Sequence, residues 1–569
     1  MIIGAAVLVF VAWAALLATR TVSAYHHDKQ GLATLDQVRS HLAPGDLTSE
    51  GSVRLLDEAR SEFDSARSDL SSPLFAPVTI VPVIGRQFRA VRDLSAAAGT
   101  VSAVGASFLD QVHDVLDQPH GAGPDRVASL RELSAISASA ESRLAHIDTG
   151  PSQALVSPLA VRHNEFESQL NDARSRLTSA AAASAAAATI LQGPQTYVVL
   201  ASNNAEMRNG SGAFLDVGVA TTGDGSVHVD DLGPSGEKAL PVGAVTVTGD
   251  LQRNWGWLHP SLDMRNLGLT PQFNVTAPLA ARMWTALTGQ QVNGVIALDV
   301  AGLRQLLEAT GPVQANGQTV SAGTVEQYIL HDQYDGLTDN STGAAARQDA
   351  LGSLTSAVLR QLQGQSTDLR SLATALSSAV AGRHLMVWSS DPVAQAAWEV
   401  SGVSGSLTPR SVGVSLVNLG GNKLDQYVPV KVTVTTAPAG SGTEVTITTH
   451  VSNNTPPGQS QFVAGPFPGV AVSYGGYSGL VTTNLPAAAR GITITGAGQL
   501  AVEGADGPTW VVAAPLVVPE GAASTVVVRF HMPDRHGSMT VFPSARIPQE
   551  QWTADGKTFD DSVPSIITW

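Results

Sequence analysis

Three stretches carry residue types that can do chemistry on an anion. The first is Tyr197 to Phe214, YVVLASNNAEMRNGSGAF. Its apolar run (Tyr197, Val198, Val199, Leu200) breaks into Asn203, Asn204, Glu206 and Arg208, then Gly210 and Gly212, and returns to Phe214 and Leu215, with Asp216 just beyond. The second holds Asp263 and Arg265 in HPSLDMRNLG; the third is Arg347-Gln348, followed by Asp349, after the loop Asp332–Gly343. Arginines converging from separate segments grip a phosphate or carboxylate bidentately. Carboxylates beside them can hold Mg²⁺, which takes oxygen ligands and keeps water for a substrate. On that reading Glu206 and Asp263 are the candidate catalytic carboxylates. Asn203, Asn204, Arg208, Arg265, Arg347 and Gln348 are the candidate ligand-binding residues, and Asp216 is a candidate Mg²⁺ ligand. The competing reading pairs each arginine with its neighbouring acid as a structural ion pair and makes Asn203–Gly212 a polar hairpin tip.

Other chemistries lack their motifs. The chain has no P-loop, dinucleotide glycine fingerprint, HExxH or GxSxG elbow. It has no cysteine, which excludes disulfides, thiolate zinc sites and cysteine nucleophiles. His26-His27 reads as solvated, and His384, in GRHLMVW, reads as the opening of a strand. A formal net charge of -15 argues against a nucleic-acid partner and against non-specific adhesion to an anionic membrane.

These residues need elements to position them. Ile2 to Thr19, IIGAAVLVFVAWAALLAT, carries no charge and reads as a single-pass transmembrane anchor within residues 1–24. A signal peptide cleaved after Val22-Ser23-Ala24 is the alternative. Residues 25–192 read as an α-helical stalk or bundle, from three- and four-residue steps such as Leu55, Ala59, Phe63, Ala66 and Leu70. PLFAPVTIVPVIGRQ, Pro73 to Gln87, interrupts them as a turn-rich apolar elbow. Residues 193–402 read as a central α/β domain. Its strands are expected at Tyr197–Leu200, Phe214–Ala220, Ser226–Val229, Val245–Thr248, Gly294–Asp299 and His384–Trp388. Its helices are expected at Ala277–Thr288, Val300–Thr310, Ala322–Leu330, Ala344–Leu362, Ser366–Ala381 and Asp391–Val400. Residues 403–569 turn almost entirely β and read as an immunoglobulin-like β-sandwich, with strict alternation over Val428–Thr435 and Glu444–Val451.

Five segments in order resemble the domain-of-unknown-function 4012 family of bacterial envelope proteins. They are SNNAEMRNGSGAF (Ser202–Phe214), LTPQFNVTAPLAARMW (Leu269–Trp284), VNGVIALDVAGLRQLLEATGPV (Val292–Val313), GRHLMVWSSDPVAQAAW (Gly382–Trp398) and NKLDQYV (Asn422–Val428). The likeness runs over about residues 73–530. It implies a plasma-membrane protein with its bulk outside the cytoplasm, working in extracellular polysaccharide or cell-wall glycopolymer assembly. Val292–Val313 followed by Arg347-Gln348 is also distantly similar to the core of the LytR-CpsA-Psr phosphotransferases. That likeness implies transfer of a glycopolymer from a polyprenyl-pyrophosphate carrier, with Arg347 and Gln348 on the pyrophosphate, Asp263 and Arg265 beside them, and Glu206 and Arg208 where that family carries its first acidic group. The chain departs at His331-Asp332-Gln333, where that family carries further arginines. Two functions therefore stand: a non-catalytic binding or scaffold component of envelope assembly, and the phosphotransferase.

Overall fold

The structure is a computed structural model. It describes residues 2–40, 50–117, 123–334, 341–362, 368–466 and 469–569, without the side chains of 2–12, 14, 39–40, 50 and 341–349. The order is helices, then an α/β region, then a β-rich region. The chain divides into two compact units, Met1–His120 with Asp125–Ala188, and Gly121–Pro124 with Thr189–Trp569.

The first unit is built from long helices, Ile2–Ser40, Glu50–Leu70, Pro82–Asp117, Pro124–Ala145 and the greater part of Ser157–Gln192. Small and apolar residues at helical spacing meet in narrow seams, such as Ala59, Phe63 and Ala98, or Val104, Ala140, Leu144 and Leu170. The transmembrane anchor expected at residues 1–24 is overturned: among the described residues no helix is long and apolar enough to cross a membrane. From Trp13 onward, where side chains are described, the first helix soon takes in Arg20, Asp28 and Lys29 without a break. Trp13 there donates its indole N–H to the Leu74 carbonyl at 3.0 Å, and Arg20 pairs with Asp69 at 2.5 Å.

The second unit opens on a mixed sheet. Its strands are β1 (Gln195–Met207), β2 (Gly212–Gly223), β3 (Ser226–Val229), β4 (Gly233–Pro234) and β5 (Gly294–Asp299); a separate hairpin, β6 (Val313–Ala315) with β7 (Gln318–Val320), precedes the last strand, β8 (Leu385–Ser389). The order is β3-β2-β1-β5-β8, with β4 also on β2. β1 runs antiparallel to β2 and parallel to β5, which faces Tyr197–Ser202. Alternation divides the sheet faces. Val198 and Leu200 point to a core with Phe273, Ala277, Ala280 and Trp284 of the helix Phe273–Thr288. Val199 and Ala201 point to the other, with Leu303 and Leu307 of the helix Val300–Thr310 and Leu351, Leu354 and Val358 of the helix Ser341–Gln361.

No strand forms at Val245–Thr248. Val245 is buried and Val247 half-buried in the first of these cores, but the stretch pairs with no strand among the described residues.

Twelve strands follow: β9 (Ser411–Asn418), β10 (Val430–Ala439), β11 (Gly442–Ser452), β12 (Tyr477–Pro486), β13 (Arg490–Thr495), β14 (Val502–Asp506), β15 (Thr509–Val518), β16 (Ala523–Met532), β17 (Ser538–Val541), β18 (Gln551–Ala554), β19 (Lys557–Asp560) and β20 (Ser565–Thr568). They form two six-stranded sheets, β13-β16-β11-β10-β18-β19 and β14-β15-β12-β9-β17-β20. One core joins both, with Val414 and Leu416 of β9 against Val432, Val434, Ile447 and Val528 of the other sheet. The next residue of β9, Val417, points the other way. With Leu480, Val502, Val511 and Ala513 it packs against Trp255 and Phe273 of the α/β region. All eight residues of β9 are therefore buried, and the α/β and β-rich regions meet over a shared apolar layer.

Candidate functional site

The Asn203–Arg208 stretch lies in this junction. β1 and β2 keep regular pairing up to Ala201↔Asp216, then slip twice, between Ala201 and Ser202 and between Asn203 and Met207. Such irregularities re-aim side chains at the end of a strand. Gly212 makes this one possible, because a Cβ there would drive into the Asn203 carbonyl.

Asn203 and Asn204 are fully buried. Asn203 donates Nδ2 to the Tyr334 hydroxyl at 3.0 Å, and its Oδ1 accepts from Ala205 N at 2.9 Å. Asn204 Nδ2 donates to Asp299 Oδ2 at 2.8 Å and to the Ala545 carbonyl at 2.7 Å, while its Oδ1 accepts from Val300 N at 3.1 Å. Asp299 Oδ1 accepts from Gly302 N at 2.9 Å, so the two side chains together cap the helix Val300–Thr310. His384 Nδ1 sits 2.8 Å from Asp299 Oδ2. Burial pushes the imidazole down, but the charge and hydrogen bond of Asp299, with a further pull from Asp561, outweigh it and hold His384 above its ordinary value.

A second network centres on Asp425, which is fully buried. Its carboxylate accepts from Met207 N at 3.0 Å, Asn418 Nδ2 at 2.9 Å, the Tyr477 hydroxyl at 3.1 Å and Arg546 Nη1 at 2.9 Å. Arg546, equally buried, also donates to the carbonyls of Asp425 and Val428. A desolvated ion pair of this kind persists only because surrounding hydrogen bonds satisfy its remaining lone pairs and protons.

Glu206 and Arg208 form the outer edge of the same junction. Arg208 Nη2 donates to Glu206 Oε1 at 3.1 Å, and Lys423 Nζ closes on Glu206 Oε2 from the β-rich side. Arg208 Nη1 donates to the Met207 and Asn418 carbonyls. Burial raises the Glu206 carboxyl, but Lys423 and Arg208 outweigh it and hold it down at about 2. Asp263 and Arg265 lie near by. Gly210 N donates to the Gly268 carbonyl at 2.9 Å, and the Asp263 hydrogen bond, aided by the Glu206 charge, holds the Arg265 guanidinium above its ordinary value. Arg265 Nε donates to both oxygens of Asp263, Oδ1 at 3.0 Å and Oδ2 at 2.9 Å, and Nη2 donates to Oδ2 at 2.5 Å. The Arg265 side chain remains 49% exposed, the most open group of the cluster.

Four expected residues thus share one neighbourhood, Glu206, Arg208, Asp263 and Arg265, and Asn203 and Asn204 are anchored just inside it. Asp216 is buried on the sheet face covered by the helix Ser341–Gln361, beside Gly352. Arg347 and Gln348 fall within the helix Ser341–Gln361, but their side chains lie outside the described residues. For Mg²⁺, no group of three or more His, Asp or Glu among the described residues is arranged to hold a metal ion. A cleft of about 740 Å³ lies in the helical unit, lined by residues such as His27, Asp57, Arg60 and Ser65. A second space, under Gly210, Gly268 and Thr270, is too small for water.

The sequence reading gives Asp299 and Asp425 no role in a site and takes His384 as the opening of a strand, which begins one residue later at Leu385. Asp299, His384 and Asp425 all sit inside the resembling segments VNGVIALDV, GRHLMVW and NKLDQYV, so a signal existed. Arg546, in FPSARIPQE, carried none. No curated protein and no solved structure matches the chain. Residues 192–334, which hold Asn203 to Arg208, Asp263, Arg265, Asp299 and Tyr334, match the family model described as protein of unknown function (DUF4012), and this supports that family for the segment.

Proposed function

We propose that this chain is a non-catalytic binding or scaffold component of cell-envelope polysaccharide or cell-wall glycopolymer assembly, acting outside the cytoplasm. One observation carries the non-catalytic part. The polar groups with the right chemistry are spent on one another: Glu206 is closed by Arg208 and Lys423, Asn204 by Asp299 and Ala545, and Arg265 by Asp263. The Lys423 and Ala545 bonds join the α/β and β-rich regions, and both carboxylates of the described cluster, Glu206 and Asp263, are held in ion pairs. The setting in envelope assembly rests on the family resemblance, an association rather than a mechanism. The phosphotransferase reading keeps one observation in its favour, the convergence of two arginines and two carboxylates, with the guanidinium of Arg265 half-exposed.

One experiment separates the two. Cells lacking the chain are complemented with Asp263→Asn/Arg265→Gln, and glycopolymer linked to the wall is quantified. A scaffold supports wild-type attachment with this variant, whereas a phosphotransferase loses it. Sedimentation of the purified chain with isolated wall glycopolymer tests binding directly, and no co-sedimentation refutes the proposal.

A further inference from the structure

The elbow between the second and third long helices leaves its apolar side chains in solvent. From Ser72 to Gly85, SPLFAPVTIVPVIG, the chain carries no charge. A short helix, Ala76–Ile80, breaks at Val81, whose backbone is extended, and Pro82 starts the next helix. Gly85 lets the two segments close up, since a Cβ there would meet the Thr79 carbonyl. Ile80 is 80% exposed, Val81 44%, Val83 69% and Ile84 57%, with Pro77 and Pro82 exposed beside them. Contiguous exposed aliphatic residues mark an interaction surface.

We propose that this elbow enters one leaflet of a phospholipid bilayer, without spanning it. Five successive residues, Ile80 to Ile84, are exposed, so the apolar groups point in several directions around the bend and form no single face. A folded partner covers one face, whereas acyl chains surround a protruding tip. The charges at its base suit phosphate headgroups. Arg86 and Arg89 spend donors on the neutral Gln153 and Thr79 carbonyls, and among the described residues neither is in an ion pair. Asp69 and Asp93, which flank the elbow in the sequence, are answered by Arg20 and Arg92. Trp13, bonded to the Leu74 carbonyl, adds an indole beside the elbow, a group that favours the headgroup boundary. The net charge of -15 keeps the rest of the surface from adsorbing, so contact is confined to this uncharged end.

The test uses the full chain and vesicles of phosphatidylcholine with about 30% phosphatidylglycerol, anionic enough to engage basic side chains. Wild type floats with the vesicles. Ile80→Asp/Ile84→Asp, changed only at exposed positions, lowers the bound fraction at least tenfold; the N-terminal apolar run is the same in both and cancels. The cysteine-free sequence supplies a second readout. Ile80→Cys carrying an environment-sensitive dye shifts to the blue when vesicles are added. Thr100→Cys, exposed about 24 Å beyond Ile84 along the helix Pro82–Asp117, does not. Equal binding by the aspartate variant overturns the proposal, as does an equal shift at both positions or none at either. So does a vesicle-independent dimer that the aspartates abolish, which would make a second copy the occupant.

Discussion

Glu206 is ionised through most of the pH range because Lys423 and Arg208 hold its carboxyl at about 2 against an ordinary value of 4.5. A depressed acid stabilises the fold fully above its unfolded value and loses that contribution as pH falls toward its folded one. The drop is worth about 3 kcal/mol. Glu206→Gln is therefore expected to lose about that much at neutral pH, with the gap to wild type closing between about pH 4.5 and 2. Urea unfolding of both proteins at several pH values measures it. Glu550 behaves oppositely. It is 1% exposed, burial pushes its carboxyl well above the ordinary range, and Oε1 has no hydrogen-bond partner. A raised acid stabilises at low pH and loses that as pH rises through its folded value. Glu550→Gln should thus overtake wild type in thermal midpoint on going from about pH 5 to about pH 9; parallel curves would show that the carboxyl titrates normally.

At the scale of elements, the junction is a polar seam laid over an apolar one. Arg546→Met leaves the Asp425 carboxylate buried without its cation, at a cost of roughly 3–5 kcal/mol. Adding Asp425→Asn removes the stranded charge and should return much of that loss, which a double-mutant cycle would read as strong coupling. Gly212→Ala should cost about 2–4 kcal/mol by forcing the β1–β2 irregularity open. If its unfolding midpoint matches wild type, the hairpin tip is not under that constraint.

The same seam explains what could be read from the sequence. Helical spacing identifies Val300–Thr310, whose Leu303, Leu306 and Leu307 face one core, and a short apolar run identifies Gly294–Asp299, a central strand with Val295 and Ala297 in one core and Leu298 in the other. β12 is hidden because YSGLVTTNLP, buried on both sides, shows no polar–apolar alternation, and the alternation of β9 is brief, with Val412, Val414 and Leu416 separated only by Ser411, Gly413 and Ser415 before Val417 breaks it. The Asn203–Arg208 stretch was legible as unusual but not as a seam. Its partners Lys423, Asp425 and Ala545 lie more than 200 residues away, beyond any local pattern.

For the whole molecule, two compact units predict two calorimetric transitions, one for the helices and one for residues 189–569. The second transition is expected to stay single despite its mixed α/β and β-rich make-up, because Val417, Leu480 and Val511 belong to the same core as Trp255 and Phe273. A third resolved transition would show that the two regions melt apart. Ile80→Asp/Ile84→Asp, placed in solvent, should move neither midpoint.

β9, enclosed on both sides, limits how this protein can be taken apart or rebuilt. Cut loose as a separate piece, the C-terminal sheets would present Val417, Leu480, Val502, Val511 and Ala513 to water as a sticky plane. A chimaera that swaps those sheets for a relative's must carry a matching underside, or it will clump instead of folding. Substitutions on the two sides of that strand are thereby bound to change in step.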